Sequence, residues 1–379
     1  MAKVITDPNT LVRDEIAKLP NFKVGVRYEE FIENNPELDL IRLGSNENPY
    51  GPSPRVLDAI TNNLDKIHLY PDNTCSDLAR EFASLLNVKV SQLVFDCGAE
   101  SIMLSLMNVC LRPGDKVLSL SPTFPVLNIW AAAAGATVIG VPHEDDLSFS
   151  AERFCLSIDK SIRMIYLCMP NNPTGSYFSE SELSLIIESA DPGTLFVLDE
   201  AYVEFSGNKL DYPDAIALLN EAGQPFISLR TMSKAYALAG MRVGYGICYH
   251  EDFATLLKRA NTVFNVGVLT LKAAVAALSD TVHLDNYLEA IYSERTRLED
   301  EIARMGLRAF KSGGNFICLS LPSFEKALKI EQEMQQTGIF IKGQRGRPIT
   351  PSDFEGVLRI TIGKPAENNQ MLKVLKTLV

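Results

Sequence analysis

Lys234 has an unusual sequence setting for a lysine. An apolar run, residues 226–229, leads towards it, and hydroxyls, small residues and one arginine, Arg242, surround it. Most lysines lie at the protein surface, where an apolar run and small residues would do nothing for the charged amine. A lysine that is shielded from water and lies close to a cation has a lowered pKa, and its neutral amine can act as a nucleophile or a base. The setting therefore favours a reactive amine.

Three polar residues upstream of Lys234 extend this chemistry. Asn172 lies in an Asn-Asn-Pro-Thr-Gly turn, Asp199 ends an apolar run, and Tyr202 follows three positions later. Alone, the turn is only a good loop signal, and an aspartate at a strand end is most often a helix cap or an ion-pair partner. Together with the lysine, they match the needs of pyridoxal phosphate, which requires a Schiff-base lysine and an acid for its pyridine nitrogen.

Each of these residues has an expected task. Asp199, at the carboxyl end of a parallel strand, would point into the ligand crevice and keep the pyridine nitrogen protonated. The phenol of Tyr202 and the amide of Asn172 would form hydrogen bonds with the ring oxygen. Lys234, once its amine is free, would move a proton at the substrate α-carbon as a general acid and base.

The cofactor phosphate needs its own binding groups. Ser233 offers a hydroxyl and Arg242 a planar, permanently charged fork. Ala99, Glu100 and Ser101 open a helix-like run after Cys-Gly, and the amides of a helix N-terminus form a natural anion site. The alternative for this turn is a plain helix start.

Two further residues are candidates for the ligand site. Phe124, in Ser-Pro-Thr-Phe-Pro, could stack on the pyridine ring, although core packing is the usual role of phenylalanine. Arg359 lies between apolar residues of a strand pattern and therefore needs an anionic partner. The substrate carboxylate is the functional candidate for that partner, and an internal salt bridge is the alternative.

The elements that position these residues follow from the apolar pattern. Consecutive apolar residues are typical of strands covered on both faces, and the predicted strands cover residues 116–120, 136–141, 163–169, 195–198, 226–229 and 244–248. Helix patterns lie between them, including an amphipathic run over residues 76–86 and a capping box formed by Ser179 and Glu182. This alternation predicts an α/β fold with a mostly parallel sheet.

The pattern changes after about residue 265. A long helix over residues 284–305 precedes strands at 315–321, 338–342 and 357–362, with helices at 323–337 and at the C-terminus. We therefore predict an N-terminal arm at residues 1–45, a large domain at 46–265 and a smaller α+β domain at 266–379. The arm is expected to pack on the small domain or on a second subunit.

Composition narrows the class of protein. The chain has 379 residues and a net charge of −11, which disfavours nucleic acid as a partner. No apolar run reaches the roughly 18 residues of a membrane span, and the N-terminus lacks signal-peptide features. Seven scattered cysteines and four isolated histidines predict reduced thiols, a cytoplasmic location and no metal site.

These blocks, in this order, resemble the fold-type I pyridoxal phosphate enzymes of the aspartate aminotransferase superfamily. Within that superfamily the chain is most similar to histidinol-phosphate aminotransferases, also through residues 46–54 and through Tyr70-Pro-Asp. The resemblance implies a seven-stranded, mostly parallel sheet in the large domain and a homodimer with shared active sites. It also implies that Tyr70 reaches the phosphate of the neighbouring subunit, and that Asn46 and Tyr50 lie close to the substrate.

Some positions depart from the family pattern. The family usually has tyrosine where Phe124 stands, and often Pro-Tyr-Asn where residues 263–265 read Val-Phe-Asn. After Lys342 the chain reads Gly-Gln-Arg-Gly-Arg, so that Lys342, Arg345 or Arg347 could bind a phosphate or a second carboxylate. Equally, these three could form a solvated basic loop.

The sequence therefore predicts an aminotransferase that works by a ping-pong mechanism with a 2-oxo acid such as 2-oxoglutarate. Histidinol phosphate is the favoured amino donor, and an aromatic amino acid is next. Rival interpretations are a threonine-phosphate-type decarboxylase, and a pyridoxal phosphate oxidase or cyclase of specialised metabolism. A further rival is the regulatory half of a transcription factor, which the short, non-basic segment before Leu43 disfavours.

Overall fold

A computed structural model describes residues 7–19, 27–144, 148–207, 210–343 and 356–379. Within these ranges the strands are β1 Ile41–Arg42, β2 Leu93–Asp96, β3 Lys116–Ser121, β4 Thr137–Pro142, β5 Ile162–Cys168, β6 Leu195–Asp199, β7 Phe226–Thr231, β8 Gly244–Cys248, β9 Arg308–Ala309, β10 Phe316–Ser320, β11 Ile339–Phe340, β12 Lys342–Gly343 and β13 Val357–Thr361. The α-helices are α1 Asp14–Ala17, α2 Tyr28–Asn34, α3 Pro54–Thr61, α4 Ser76–Leu86, α5 Ala99–Cys110, α6 Pro125–Ala133, α7 Ala151–Cys155, α8 Glu180–Ser189, α9 Ala215–Glu221, α10 Glu251–Lys258, α11 Val268–Leu278, α12 Thr281–Arg304, α13 Phe324–Gln336 and α14 Pro365–Leu378. Short 3-10 helices lie at Pro8–Leu11, Leu64–Lys66, Val90–Gln92, Val203–Phe205 and Ala239–Met241.

The central sheet has seven strands in the order β2-β8-β7-β6-β5-β3-β4. Strand β8 runs antiparallel to both of its neighbours, and the other adjacent pairs, from β7 through to β4, are parallel. The predicted α/β fold with a mostly parallel sheet is therefore confirmed, and each of the six predicted strands corresponds to a strand of this sheet. Strand β2, at one edge, was not predicted from the sequence.

Both faces of the sheet are covered, which explains the consecutive apolar residues. One face packs against α5, α6 and α10, with Val197 of β6 in that core. The other face packs against α7, α8 and α9, with Leu198 of the same strand. Since successive strand residues point to opposite faces, each strand of the sheet interior needs an apolar side chain at almost every position.

Local sequence signals set the ends of two helices. Helix α4 has the bounds that the amphipathic run predicts, and Leu78, Ala79 and Phe82 form its buried face. Helix α8 begins after Ser179, whose backbone N–H donates to Glu182 Oε2 at 2.7 Å, so the predicted capping box is present.

The C-terminal part of the chain forms a four-stranded antiparallel sheet in the order β12-β13-β10-β9, packed against α12, α13 and α14. The predicted strand at 338–342 is divided into β11 and β12. Helix α11 packs on α3 and α4, beside the central sheet. The α+β character predicted after residue 265 is present, and the domain boundaries at 45/46 and 265/266 stay predictions.

The N-terminal segment lies along this C-terminal part. Strand β1 pairs in parallel with β11, and the rings of Tyr28 and Phe31 meet the edge of Phe340 at 5.2 and 4.8 Å between centroids. The Thr361 N–H donates to the Leu43 carbonyl at 2.8 Å, which continues the chain towards the sheet. These contacts place residues 44–50 between the central sheet and the C-terminal sheet. In the described ranges, no helix has the length and hydropathy to cross a bilayer.

Candidate active site

Three neighbouring strands of the central sheet end at one crevice. Asp199 is the last residue of β6, Asn172 lies in the turn after β5, and Lys234 follows β7. The carboxyl ends of adjacent parallel strands meet at one edge of the sheet, which is where open α/β sheets bind ligands. The fold therefore brings together residues that are 62 positions apart in sequence, from 172 to 234.

Asp199 is a buried carboxylate held by neutral donors. Its side chain is 2% exposed, the Tyr166 hydroxyl donates to its Oδ2 at 3.0 Å, and the Ala201 N–H donates to its Oδ1 at 3.3 Å. Burial raises its pKa to about 6, and these hydrogen bonds oppose only part of that rise. Among the described residues it forms no salt bridge, so the site has room for one positive charge from a ligand.

Tyr166 was missed in the sequence analysis. Its ring is fully buried in β5, one strand away from Asp199. A buried tyrosine hydroxyl almost always needs a hydrogen-bond partner, so a tyrosine within an apolar strand was the available signal. The register that places it beside Asp199 could not be obtained from the sequence.

Four predicted residues form one continuous hydrogen-bond network. The Tyr202 hydroxyl oxygen accepts from Asn46 Nδ2 at 2.9 Å and from Asn172 Nδ2 at 3.4 Å. The Asn172 Oδ1 in turn accepts from Arg359 Nη1 at 2.7 Å. Burial raises the pKa of Tyr202 to about 12, so its hydroxyl keeps its proton. Since both lone pairs of that oxygen are used, its O–H is a donor for a ligand oxygen.

The Arg359 guanidinium is held by the Gly44 carbonyl and lies near the Phe316 ring. Its Nη2 donates to the Gly44 carbonyl at 2.5 Å, and its guanidinium lies 5.8 Å from the ring centre of Phe316. Its Nε is buried without a hydrogen-bond partner among the described residues, and burial lowers its pKa. In the part of the chain that the structure describes, no carboxylate pairs with it, so the internal salt bridge is not observed there. A buried, unsatisfied guanidinium N–H favours an anionic ligand.

Lys234 lies at the mouth of the crevice, partly accessible to solvent. Its Nζ donates to the Ser45 carbonyl at 2.9 Å. The loss of water around the amine, followed by repulsion from Arg359 and Arg242, lowers its pKa to about 8, against the opposing charges of Glu47 and Asp199. Near pH 8 a large fraction of the amine is therefore neutral and nucleophilic.

The predicted phosphate site, here called the cradle, is formed by Arg242 and the first turn of α5, which lie close together. Helix α5 begins at Ala99, with Gly98 before it at φ 86°, and Glu100 is exposed on the same turn. A Cβ at Gly98 would lie 2.6 Å from Arg242 Nη2, and a Cβ at Gly244 would overlap the Ala99 nitrogen. The two glycines thus let Arg242 and the first turn of α5 approach each other, which places a cation beside free helix amides.

The remaining predicted cofactor residues line this end of the crevice with internal hydrogen bonds. Ser233 is buried, and its hydroxyl oxygen accepts from Thr231 Oγ1 at 2.9 Å. The Ser101 hydroxyl donates to the Cys97 carbonyl at 3.1 Å. Phe124 is half-buried immediately before α6 and packs on the core beneath that helix. The Ser233 O–H remains available to donate to a phosphate oxygen, whereas the Ser101 O–H is already donated to Cys97; the phenylalanine keeps a partly open ring.

Two predicted residues, Tyr70 and Tyr50, stand outside the network. Tyr70 is 82% exposed and stacks on Phe264, with ring centres 4.6 Å apart. The Tyr50 ring rests against Tyr287, with centres 5.7 Å apart. Of the predicted basic residues, Lys342 lies in β12, whereas Arg345 and Arg347 lie outside the described residues. Within this chain, Tyr70 and Tyr50 therefore have no hydrogen bond to the crevice in the ranges that the structure describes.

Two supports of Asn46 were also missed. Its backbone N–H donates to Thr361 Oγ1 at 2.9 Å, and its carbonyl accepts from Asn315 Nδ2 at 3.2 Å. Its φ is 54°, a left-handed conformation that asparagine tolerates better than most residues. The polar threonine in an apolar strand pattern was a usable signal, but its partner 315 positions away was not.

These features fit pyridoxal phosphate. Asp199 lacks, among the described residues, the cation that a pyridinium nitrogen would supply, and the Tyr202 O–H is oriented by two amides to donate to a ring oxygen. The contact of Arg242 with the start of α5 leaves guanidinium and amide donors for a phosphate, which a Cβ at Gly98 would obstruct. Lys234, with its lowered pKa, supplies the amine that an aldehyde requires.

Comparisons with known proteins agree with this geometry. A family model described as aminotransferase class I and II matches residues 39–375. The chain is 32% identical to histidinol-phosphate aminotransferase 1 of Mesorhizobium japonicum, over 97% of this chain and 98% of that protein. It is also 32% identical to histidinol-phosphate aminotransferase 3 of Rhizobium meliloti, with the same two coverages, 97% and 98%.

Solved structures show the same architecture. The crystal structure of histidinol-phosphate aminotransferase from Sinorhizobium meliloti in complex with pyridoxal-5′-phosphate aligns with a TM-score of 0.86 at 25% identity, over 100% of this chain and 99% of that one. Aspartate aminotransferase from Thermus thermophilus with maleate aligns with a TM-score of 0.77 at 17% identity, over 97% and 99%. The second likeness concerns the fold alone.

We expect Asp199→Asn to stabilise the cofactor-free protein at pH 8. Folding raises the pKa of Asp199 from 3.8 to about 6, so the folded state binds this proton more tightly than the unfolded state. Stability is therefore lost as the pH rises from about 3.8 through about 6, and the whole loss is present above that range. Urea unfolding at pH 8 should show a gain of about 1–3 kcal/mol in the variant.

The difference between the two proteins should shrink as the pH is lowered from 7 to 5, because Asp199 then becomes neutral. Tyr166→Phe is the matched control, since it removes the hydrogen bond to Oδ2 and keeps the charge; it should not stabilise. An Asp199→Asn protein that is less stable than the native protein at pH 8 would contradict the assignment of a buried, uncompensated charge.

Proposed function

Because the chain belongs to the aminotransferase class I and II family, we propose that it transfers the amino group of histidinol phosphate to 2-oxoglutarate. The protein is a pyridoxal phosphate-dependent aminotransferase, and its substrates are an amino compound and a 2-oxo acid. The observation that carries the choice of donor is the 32% identity to two histidinol-phosphate aminotransferases over nearly the full length.

When bound, pyridoxal phosphate supplies an electron-withdrawing ring that stabilises negative charge at the substrate α-carbon. Asp199 would hold a proton on the ring nitrogen, since the pair then satisfies a carboxylate that is otherwise buried among neutral donors. Tyr202 would donate its O–H to the ring oxygen, while Asn46 and Asn172 hold the phenol in place. Arg242 and the first amides of α5 would bind the phosphate.

Lys234 would do the proton transfer. With a pKa of about 8, its amine is basic enough to accept a proton from the substrate α-carbon and weak enough to return it at the cofactor C4′ carbon. The Ser45 carbonyl, 2.9 Å from Nζ, would hold the amine when it is free. The lowered pKa therefore supports general acid and base catalysis near neutral pH.

Arg359 would bind the anionic group of either substrate. In a 2-oxo acid or an amino acid that group is the carboxylate next to the reacting carbon. In histidinol phosphate the carboxylate is replaced by a phosphate ester on the adjacent carbon, which is also an anion. Nη1 and Nη2 of this fixed guanidinium each use one N–H within the chain, so their remaining N–H groups could pair with either anion, and a single residue would serve both half-reactions.

An aromatic amino acid is the second candidate donor, because Phe124 and Tyr50 offer ring surface near the crevice. The relatives named above are aminotransferases, and nothing in the described part of the site favours the decarboxylase or the oxidase interpretation. The experiment that tests the donor would also reveal a decarboxylase or an oxidase.

A donor panel tests the proposed function. We expect protein loaded with pyridoxal phosphate to change the absorbance of its bound cofactor with histidinol phosphate, and to form the keto product in amounts equal to the enzyme. Adding 2-oxoglutarate should restore the absorbance and yield glutamate, as in a ping-pong mechanism. Conversion by phenylalanine but not by histidinol phosphate would show that the donor is wrong. Release of carbon dioxide from amino acids would show that the reaction type is wrong.

We expect Arg359→Ala to lower kcat/KM for glutamate by about 10²- to 10³-fold, because two or more charge-assisted hydrogen bonds to a carboxylate are lost. Arg359→Lys should recover only part of this, since an ammonium lacks the planar fork. Arg297→Ala is the control: this arginine pairs with Glu294 on α12 and should leave the kinetics unchanged. Unaltered glutamate kinetics in the alanine variant would remove Arg359 from the substrate site.

We further propose a homodimer whose interface lies beside the phosphate end of the crevice. An apolar surface patch there comprises Ile67, Leu69, Tyr70, Val263 and Phe264, each between 42% and 82% exposed. The patch borders the cradle, because the next residue, Asn265, accepts a hydrogen bond from Cys97 through its carbonyl. A contiguous exposed apolar patch of this kind is typical of a protein interface, and a closed two-fold dimer would cover it on both subunits.

Charged substitutions in this apolar patch test the proposed dimer interface. The double variant Ile67→Asp, Val263→Asp should shift the sedimentation equilibrium from twice the chain mass of 41.8 kDa towards the monomer, because charges buried in an interface cost several kcal/mol. Leu156→Asp is the control, as Leu156 is equally exposed but follows α7, on the other face of the sheet. A native protein that sediments as a monomer would contradict the proposal.

A further inference from the structure

A buried ion pair lies behind the site. The Arg230 Nη2 and Nε donate to Glu200 Oε2 at 2.8 and 3.1 Å, and the two side chains are 14% and 2% exposed. The Ser228 hydroxyl donates to the same oxygen at 2.5 Å. The Tyr212 hydroxyl lies 3.1 Å from Glu200 Oε1. Donors from the chain itself thus surround the Glu200 carboxylate, which needs no ligand to satisfy its hydrogen bonds.

The Glu200–Arg230 pair does not face the crevice. The register of β6 and β7 pairs Asp199 with Leu229, so Glu200 and Arg230 occupy the next position along the same two strands. The Glu200 N–H continues the ladder by donating to the Leu229 carbonyl at 2.8 Å. Since successive residues point to opposite faces, Glu200 faces the α7–α9 side, where Tyr212 packs, while Asp199 faces the other side.

The pair joins the ends of the three strands that supply the site. Besides Glu200, the Tyr212 hydroxyl also lies 2.8 Å from the carbonyl of Met169, at the end of β5. Met169 leads into the turn that holds Asn172, Glu200 follows Asp199, and Arg230 is four residues before Lys234. Glu200 therefore contacts the β7 segment directly through Arg230, and the β5 segment indirectly through the Tyr212 hydroxyl, on the side away from the ligand.

We propose that the Glu200–Arg230 pair is a positioning device, which sets the separation between the Asp199 carboxylate and the Lys234 amine. This inference rests on the proposed function. Asp199 and Lys234 act on opposite ends of the same ring, so a change in their separation affects both contacts. A displacement of about 1 Å is enough to cost roughly 100-fold in rate. Two guanidinium N–H groups converge on the single oxygen Oε2, which fixes the orientation of Arg230 relative to Glu200 more closely than one charge contact would.

Stability alone does not account for such a pair. Desolvation of two charges largely cancels their attraction, and well-packed apolar residues in the same space are often as stable. The pair also lies close to Glu204, whose Oε2 is buried without a hydrogen-bond partner among the described residues and whose pKa burial raises to about 7. The positive charge of Arg230 therefore serves two acidic neighbours, and its removal alone would leave both without that cation.

The test separates position from stability. The double variant Glu200→Leu, Arg230→Met removes both charges of the pair. Glu204, whose pKa burial already raises to about 7, then loses the Arg230 charge and takes up a proton. Arg230→Lys keeps the charge but loses the second guanidinium N–H contact. Each is measured for urea unfolding without cofactor, for the Kd of pyridoxal phosphate, and for the pH at which the bound cofactor's absorbance titrates. That midpoint reports the proton shared by Lys234 and the cofactor, which a purely structural role would not move.

We expect the double variant to remain folded with nearly native urea stability, but to bind pyridoxal phosphate about 10- to 100-fold more weakly, the range typical of residues that support a binding shell. Its absorbance midpoint should shift by about one pH unit. Arg230→Lys should change both quantities in the same direction. The control is Arg297→Met, which removes the Glu294–Arg297 pair on α12 and should change neither.

A folded double variant with native Kd and native midpoint would overturn the proposal, and so would an Arg230→Lys protein with a native midpoint if the double variant fails to fold. These readouts do not involve an amino donor, so an error in the proposed substrate would leave them unaffected. Borohydride reduction followed by peptide mapping, with the native protein, checks separately that the cofactor attaches to Lys234.

Discussion

The site depends on a negative charge that the described part of the fold buries without a salt bridge. Asp199 ends a strand whose every residue is buried, and the neutral donors Tyr166 and Ala201 approach its carboxylate. Isolated buried charges are unfavourable, so the protein without its cofactor holds a strained electrostatic arrangement. Under the proposed function, a protonated pyridine ring would relieve it. The same exclusion of water that disfavours this carboxylate lowers the pKa of Lys234, so one physical condition prepares both ends of the ligand.

Segments from the whole length of the chain meet at this point. Asn46 comes from the N-terminal segment, Tyr202 from the central sheet and Arg359 from the C-terminal sheet, yet hydrogen bonds of 2.7–3.4 Å join them through Asn172. Hydrogen bonds between segments so far apart in the sequence require a rigid fold. The two apolar cores that cover the sheet supply it, because interiors packed on both faces leave strand ends little freedom.

The sequence predicted the elements better than the contacts. Consecutive apolar residues identify β5, β6 and β7, and the lysine, aspartate and asparagine at their ends follow from the chemistry that a cofactor requires. Short strands such as β1 and β2 escaped because two to four residues carry too little periodicity. The role of Glu200 escaped for another reason: its partner Arg230 is 30 positions away, and only the strand register makes them neighbours. Local patterns encode secondary structure, whereas register and side-chain pairing are set by packing.

Under the proposed function, the bond from Arg359 to Asn172 would link substrate binding to the groups that hold the cofactor. The guanidinium would bind the anion of the substrate, and it also donates to the amide that supports the Tyr202 phenol. Replacing this arginine to change the specificity would then also disturb the hydrogen bonds that hold the phenol. Changes of substrate are therefore tolerated best at residues that take no part in this network. This division explains physically how one catalytic core could diversify among many amino donors.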